Sequence, residues 1–143
     1  MQVSSKFTLA IHICTCVDIY EKDNTITADF FAERMNMRLA SIRIILSQLK
    51  AAGIVKVTGG TRVVSLAKPL QEITLLDIYR AVEHIGNGDL FLFPEDLGQE
   101  CPIGKNIHPI LDDKLQKVQE AMELELVSVT LEDVKKNAEK YLK

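Results

Sequence analysis

The stretch that decides the fold covers residues 26–66 and has the sequence ITADFFAERMNMRLASIRIILSQLKAAGIVKVTGGTRVVSL. Its apolar spacing predicts a short helix over residues 27–35 and a second helix over residues 39–52. Two short, apolar, β-branched runs follow at residues 54–57 and 63–66, and this composition favours β-strands. The stretch therefore predicts a helix–turn–helix followed by a β-hairpin, or wing.

Local sequence signals mark the ends of these elements. Thr27 is placed to cap the first helix, because its hydroxyl can accept a hydrogen bond from an unpaired amide of the first turn. Residues 36–38 form the turn between the helices, and Gly53 suits the left-handed conformation that ends many helices. The turn of the wing, residues 58–62, contains a Gly-Gly pair and a cation. An ordinary αα-hairpin with an attached β-hairpin is the alternative interpretation of the same pattern.

The second helix of such a motif fits the major groove of duplex DNA, and a basic wing tip can reach the neighbouring backbone or minor groove. We therefore predict double-stranded DNA as the partner. The predicted contacts lie at the exposed N-terminal end of the second helix and at the wing tip: Arg38, Ala40, Ser41, Arg43, Gly59, Gly60 and Arg62.

The net charge of −3 is divided unevenly along the chain. Residues 1–66 hold eight Lys/Arg and five Asp/Glu, whereas residues 67–143 hold nine Lys/Arg and fifteen Asp/Glu. The half that contains the helix–turn–helix is therefore the basic half, which suits the attraction of DNA phosphates. The net acidic charge of the whole chain supports an alternative function, a winged-helix protein-interaction module that has lost its affinity for DNA.

Composition narrows the class of protein further. The 143 residues are 47% hydrophobic and 26% charged, as in ordinary globular proteins. Without a run of 18 apolar residues or a signal-peptide pattern, the chain is expected to be cytoplasmic and to have no membrane partner. The sequence shows no nucleophile–base pair and no phosphate loop, which argues against an enzyme.

Two helices indicate a homodimer. The first, residues 4–21, carries two apolar stripes, and a monomer of this size would struggle to cover both. A longer amphipathic helix is predicted to begin near Pro109, where proline suits the first turn. It can form a dimer seam from apolar residues at three- and four-residue steps: Ile110 or Leu111, Leu115, Val118, Met122 and Leu126. A helix that packs within its own subunit is the alternative.

These elements predict a mainly α fold with a small β-wing. The expected domains are a winged helix-turn-helix DNA-binding domain over residues 1–85 and a second region over residues 86–143. The second region combines a loop, a long dimerisation helix and a C-terminal helix. The loop contains the apolar run Leu90–Phe93, which must either be buried within the protein or cover a site such as that of a small ligand.

Several local strings resemble the Rrf2 family of bacterial winged-helix transcription regulators. They are KAAGIV at residues 50–55, ITLLDIYRAVE at residues 73–83, CPIG at residues 101–104 and VQEAM at residues 118–122. The resemblance covers nearly the whole chain. It implies a homodimer built on a crossed pair of long helices that represses or activates promoters, and we expect a repressor.

The cysteines indicate a member of that family without an iron–sulfur cluster. Cluster-binding members carry three closely spaced cysteines before the dimer helix, whereas this segment holds only Cys101. Cys14 and Cys16 are two residues apart on a helix and point away from each other. Because a cluster needs three or four thiolates, no metal or cofactor is expected. Cys101 is either a redox-sensing thiol or the remnant of a lost site, and an unknown small ligand under the 90–93 run is the other candidate signal.

Overall fold

The computed structural model describes residues 4–83 and 90–142. These residues form two compact units, one made of residues 4–83 with 126–142 and a smaller one made of residues 90–125. Two 3₁₀ turns, Leu70–Glu72 and Glu139–Tyr141, accompany the regular elements. The elements are α1 (Ser5–Tyr20), α2 (Ala28–Met35), α3 (Leu39–Ala51), β1 (Val55–Thr58), β2 (Val63–Leu66), α4 (Leu75–Val82), α5 (Pro102–Lys105), α6 (Ile107–Val127) and α7 (Leu131–Ala138). The mainly helical fold with a two-stranded antiparallel sheet is as predicted.

The helix–turn–helix ends where the sequence signals place its ends. The Thr27 hydroxyl accepts a hydrogen bond from the Phe30 amide at 3.3 Å and so caps α2. Asn36 follows α2 with a left-handed φ of 51°, a conformation that asparagine tolerates better than most residues. Gly53 follows α3 with a φ of 76°, which glycine adopts without steric cost.

The wing is tied directly to the helix–turn–helix. Strands β1 and β2 pair in antiparallel register, with Val57 opposite Val64. The Val64 amide also donates to the carbonyl of Ile26, the residue before the α2 cap, at 2.8 Å. Since both valines turn towards the helices, the wing is held at a fixed position beside α2 and α3.

Helix α1 is buried on both of its apolar stripes inside a single chain. On one stripe, Ala10, Cys14 and Val17 are fully buried. On the other stripe, Ile13 is fully buried and Cys16 is almost fully buried. Helices α3, α4 and α7 and strand β2 all pack against α1. The expectation that its second stripe needs a partner subunit was therefore wrong, because the C-terminal helix supplies cover that local sequence patterns could not reveal.

Helix α7 belongs to the same compact unit as the helix–turn–helix. The Leu131 amide donates to the Ile73 carbonyl, and the Leu75 amide donates to the Val129 carbonyl, each at 2.9 Å. Lys135 also pairs with Asp18 of α1 at 2.7 Å. The sequence grouped this helix with the dimerisation helix, whereas these long-range hydrogen bonds join it to the first 83 residues. The predicted boundary between residues 85 and 86 lies outside the described residues.

The smaller unit consists of a loop, the short helix α5 and most of α6. Helix α6 begins at Ile107, so Pro109 lies in its first turn as predicted. Helix α5 was not predicted, because the sequence there indicates only a loop. The Leu90 amide donates to the Gln119 side chain at 2.8 Å, and the Phe93 ring lies 4.6 Å from the His108 ring. Leu90 and Phe93 thus contact α6, whereas Leu92 is 80% exposed, so the apolar run is only partly buried. Residues 86–89 of the predicted loop lie outside the described residues.

Candidate nucleic-acid interface

Helix α3 presents one face to solvent because the opposite face forms the core. Its buried stripe consists of Ile42, Ile45, Leu46 and Leu49. The residues that point directly away from this stripe are Ala40, Ile44 and Ser47, and all three are exposed. They form an outward ridge that runs along the helix, with a small residue on either side of Ile44. We call these three residues the α3 ridge.

A cleft separates α3 from the wing, and three cations line it. Its volume is about 440 Å³, and its walls come from the first residues of α2, from α3 and from both strands of the wing. Arg43 and Lys50 reach it from α3, and Arg62 reaches it from the wing tip. The carboxylate at the start of α2, Asp29, is the one acidic lining residue of this cleft. The cleft therefore carries a positive local charge, suited to a phosphate.

The residues predicted from the sequence divide into three groups. Arg43 and Arg62 are brought together at the cleft. Arg38 and Ala40 are exposed at the start of α3, where Arg38 occupies the N-cap position without a side-chain hydrogen bond to cap the helix. Ser41 is only half-exposed and lies to the side of the α3 ridge.

Sequence reasoning missed Ile44, Ser47 and Lys50. All three are exposed on the same helix as the predicted contacts. A helical wheel extended beyond the first turn would have found them, because the buried stripe fixes which residues face outward. The contacts predicted from the sequence lie only at the N-terminal end of the helix, where base contacts are most common.

The wing tip is a tight turn from Gly59 to Arg62. The Arg62 amide donates to the Gly59 carbonyl at 3.2 Å, and Gly59 has a φ of 76°. Gly60 has an ordinary backbone and open space around it. Arg62 itself has a φ of 56°, which is unusual for a residue with a side chain. The guanidinium is thus presented from a strained position at the exposed end of the wing.

The three cysteines lie in two different environments. Cys14 and Cys16 are buried in α1, and burial raises the pKa of the Cys14 thiol to about 12. Cys101 is exposed and caps α5, where its sulfur accepts a hydrogen bond from the Gly104 amide at 3.5 Å. Hydrogen bonds from the Gly104 and Ile103 amides lower the pKa of the Cys101 thiol. Gly104 lies so close to the Leu97 carbonyl that no side chain fits there.

A second cavity, of about 300 Å³, lies in the smaller unit between the 90–93 run and α6. Phe91 and Phe93 form one wall, and polar residues of α6 form the other. His108 and Asp112, which pair at 3.0 Å, also line this cavity.

Within the described parts of the chain, no helix is long and apolar enough to cross a membrane.

A winged helix with a cationic cleft beside α3, the second helix of its helix–turn–helix, is typical of DNA-binding transcription regulators. Residues 3–137 match the Rrf2 family, described as "Iron-dependent Transcriptional regulator". The chain belongs to this family, as the resemblance in the sequence predicted.

Relatives with known names and structures agree with this assignment. The "Putative HTH-type transcriptional regulator YwnA" of Bacillus subtilis is 36% identical over 132 residues, which are 92% of this chain and 96% of that protein. A crystal structure of "a putative DNA binding protein" is 33% identical, with a TM-score of 0.70, over 91% of this chain and 98% of the other. CymR, the global cysteine regulator of B. subtilis, is 22% identical with a TM-score of 0.66, over 96% and 98% of the two chains, and so shares the fold.

Because the family is described as iron-dependent, the question is whether the side chains of this protein could hold iron. Over residues 4–83 and 90–142, no three His, Cys, Asp or Glu side chains are grouped so that they could hold a metal ion. Two of the three thiols are buried in α1, and Cys101 is the only cysteine after residue 16. An iron–sulfur cluster needs three or four thiolates. The side chains of this protein therefore do not fit a cluster.

Proposed function

We propose that the protein is a homodimeric repressor that binds specific duplex operators in the cytoplasm, without an iron–sulfur cluster. The observation that carries the proposal is the cleft between α3 and the wing, where Arg43, Lys50 and Arg62 converge. Each cation can neutralise a phosphate, and each neutralised phosphate releases counterions and strengthens binding. A dimer that occupies a promoter blocks transcription by its presence alone.

The α3 ridge is the part that enters the major groove in this proposal. An α-helix fits that groove, and the small side chains of Ala40 and Ser47 allow its backbone to approach the bases. Arg43 stands beside the ridge and is placed to contact a guanine or an adjacent phosphate. Arg38, at the start of α3, is placed to contact the backbone at the edge of the groove, and Ser41 contributes from the side.

The wing lies on the neighbouring backbone or minor groove in this arrangement. Arg62 supplies the charge, while Gly59 and Gly60 keep the tip narrow because neither carries a side chain. Lys56 lies on the opposite side of the strand, at a surface lined by Asp18, Glu21 and Lys68. It should therefore contribute little to DNA binding, which makes it a charge-matched control.

The experiment is to select bound fragments from the host's own genomic DNA and to measure their affinity over a range of salt concentrations. The recovered sites should share a motif with two half-sites, about one helical turn or a multiple apart. Replacing Arg43 by alanine should cost about 1–3 kcal/mol and relax specificity at one base pair. Lys56→Ala should bind as the parent does. Equal affinity of the parent and Arg43→Ala for every site would refute this placement of the helix.

The dimer is proposed because α6 keeps apolar side chains uncovered in the single chain. Val118 of the predicted seam is 52% exposed, and Ile110, a candidate for the first seam position, is 45% exposed. The other seam residues are half-buried: Leu111, Leu115, Met122 and Leu126. A second copy of the same helix can cover this surface and places two DNA-binding units on one operator. Sedimentation of the purified protein should show a dimer.

The alternative, a protein-interaction module without DNA affinity, rests on the net charge of −3. The charge of the whole chain is a poor guide, because the cations at the cleft act locally and most of the acidic residues belong to the C-terminal half. The salt titration separates the two functions. A DNA-binding protein loses affinity steeply as salt rises, whereas a module of the other kind shows no specific duplex binding at any salt concentration.

Two sites are candidates for the signal. Cys101 is exposed, and the pKa of its thiol is lowered, so it can be oxidised more readily than an ordinary cysteine. The cavity beside Phe91 and Phe93 can accept a small ligand. Titrating DNA binding against mild peroxide, with Cys101→Ser as the control, distinguishes them. Loss of binding in the parent alone assigns the signal to the thiol, and equal behaviour leaves the cavity.

A further inference from the structure

Ile44 is an apolar, β-branched side chain in the middle of the face that α3 turns to solvent. It is 53% exposed, while Ile42 and Ile45 on the same helix are buried. Its neighbours on the α3 ridge, Ala40 and Ser47, are small, so Ile44 projects furthest from the helix. The part of the chain that the structure describes leaves this side chain uncovered.

The surroundings of Ile44 restrict what can cover it. Arg43 and Lys50, on the same helix, line the cationic cleft to one side of the ridge. A partner that fits the ridge must therefore be anionic at its edges and apolar at the point that meets Ile44. The major groove of DNA has this pattern, because phosphates border it and the C5-methyl group of thymine is the apolar feature of its floor.

We propose that Ile44 contacts the C5-methyl group of a thymine and so selects an A·T pair in each half-site of the operator. The inference rests on the proposed function, since it requires α3 to lie in the major groove. Ile44 adds no charge to the complex, and its contribution is therefore specificity that does not depend on salt.

The test compares thymine with deoxyuridine, which lacks only the methyl group. A duplex selected by the protein from a random-sequence library is resynthesised with each thymine replaced in turn, and the affinity of each duplex is measured. One thymine in each half-site should be sensitive. The free energy of burying one methyl group corresponds to about a fourfold loss of affinity per half-site.

Two variants assign that loss to Ile44. In Ile44→Ala the sensitive thymine and deoxyuridine should bind equally, because the side chain that meets the methyl group is missing. Ile44→Val keeps the β-branched contact and should retain most of the difference. Because Ile44 is exposed, both variants should unfold at the same urea concentration as the parent, and this measurement serves as the folding control.

The outcomes separate this inference from the function on which it rests. If no duplex binds in a salt-dependent manner, both proposals fail. If duplexes bind but no thymine is sensitive, or if Ile44→Ala keeps the full sensitivity, only the assignment of Ile44 is overturned. In that last case a residue other than Ile44 contacts the sensitive thymine.

Discussion

Replacing Arg62 by glycine should weaken DNA binding and at the same time stabilise the folded protein. Arg62 is exposed at the wing tip and has a φ of 56°, in the left-handed region. Its side chain lines the cationic cleft, while its backbone amide closes the turn with Gly59. The substitution removes the cation and the steric conflict but keeps the amide that makes the turn.

The two effects can be estimated separately. A residue with a side chain in the left-handed region costs about 1–2 kcal/mol. The greater freedom of glycine in the unfolded chain offsets about 0.4–1 kcal/mol of the relief. The free energy of unfolding should therefore rise by about 0.8 kcal/mol, the middle of a range from about 0 to about 1.6 kcal/mol. Loss of one phosphate contact should lower the slope of log K against log salt by about 0.9 per half-site, or about 1.8 for a dimer on its operator.

The assays are urea unfolding at fixed protein concentration and fluorescence anisotropy of a labelled operator at several salt concentrations. Arg62→Ala separates the two effects, because it removes the charge but keeps a side-chain carbon in the strained position. It should lose the same salt slope as the glycine variant without the gain in stability. Lys56→Ala removes one cation from the other side of the wing and should leave the salt slope unchanged.

Two results would contradict this reasoning. An unchanged salt slope in both Arg62 variants would show that the wing tip does not contact phosphate. A lower unfolding free energy for the glycine variant than for the alanine variant would show that any strain at Arg62 is smaller than the cost of the freedom that glycine has in the unfolded chain. The two results are independent, so the DNA contact and the backbone conformation are tested separately.

Three further predictions concern the rest of the chain. Changing Val118 to aspartate should give a folded monomer in sedimentation, because its side chain lies on the predicted seam and is exposed in the single chain; a dimer at the same concentration would show that the seam lies elsewhere. Iodoacetamide should alkylate Cys101 at a lower pH than free cysteine, because the pKa of its thiol is lowered and the reactive thiolate forms earlier as pH rises. The buried Cys14, whose thiol has a pKa of about 12, should react only after unfolding, and peptide mass spectrometry distinguishes the two alkylated cysteines. Phe31→Ala should lower the free energy of unfolding by about 3–5 kcal/mol, because the ring is fully buried; a loss below about 1 kcal/mol in urea unfolding would show that the core is not packed around it.

Local patterns in the sequence were sufficient to predict the elements that form the helix–turn–helix and the wing. Thr27 and Gly53 mark helix ends through interactions with residues only a few positions away, so their effect is visible in a short stretch of sequence. The periodicity of apolar residues likewise fixes which face of α3 is buried. The same information predicted Arg43 and Arg62 as candidate contacts.

The tertiary structure decided which surfaces are covered and which residues meet. Helix α1 has two apolar stripes in the sequence, but only the packing of α7, more than 100 residues away, shows that both are buried within one chain. Lys50 joins Arg43 and Arg62 only because the amide of Val64 bonds to Ile26 and so sets the wing beside α3. Periodicity reports the direction in which a residue points from its own helix axis, whereas a cleft or a covered face depends on the relative positions of elements distant in sequence. That physical difference is why periodicity is enough to place Ile44 on the outward face of α3, whereas the convergence of Arg43, Lys50 and Arg62 at one cleft could be seen only in the assembled molecule.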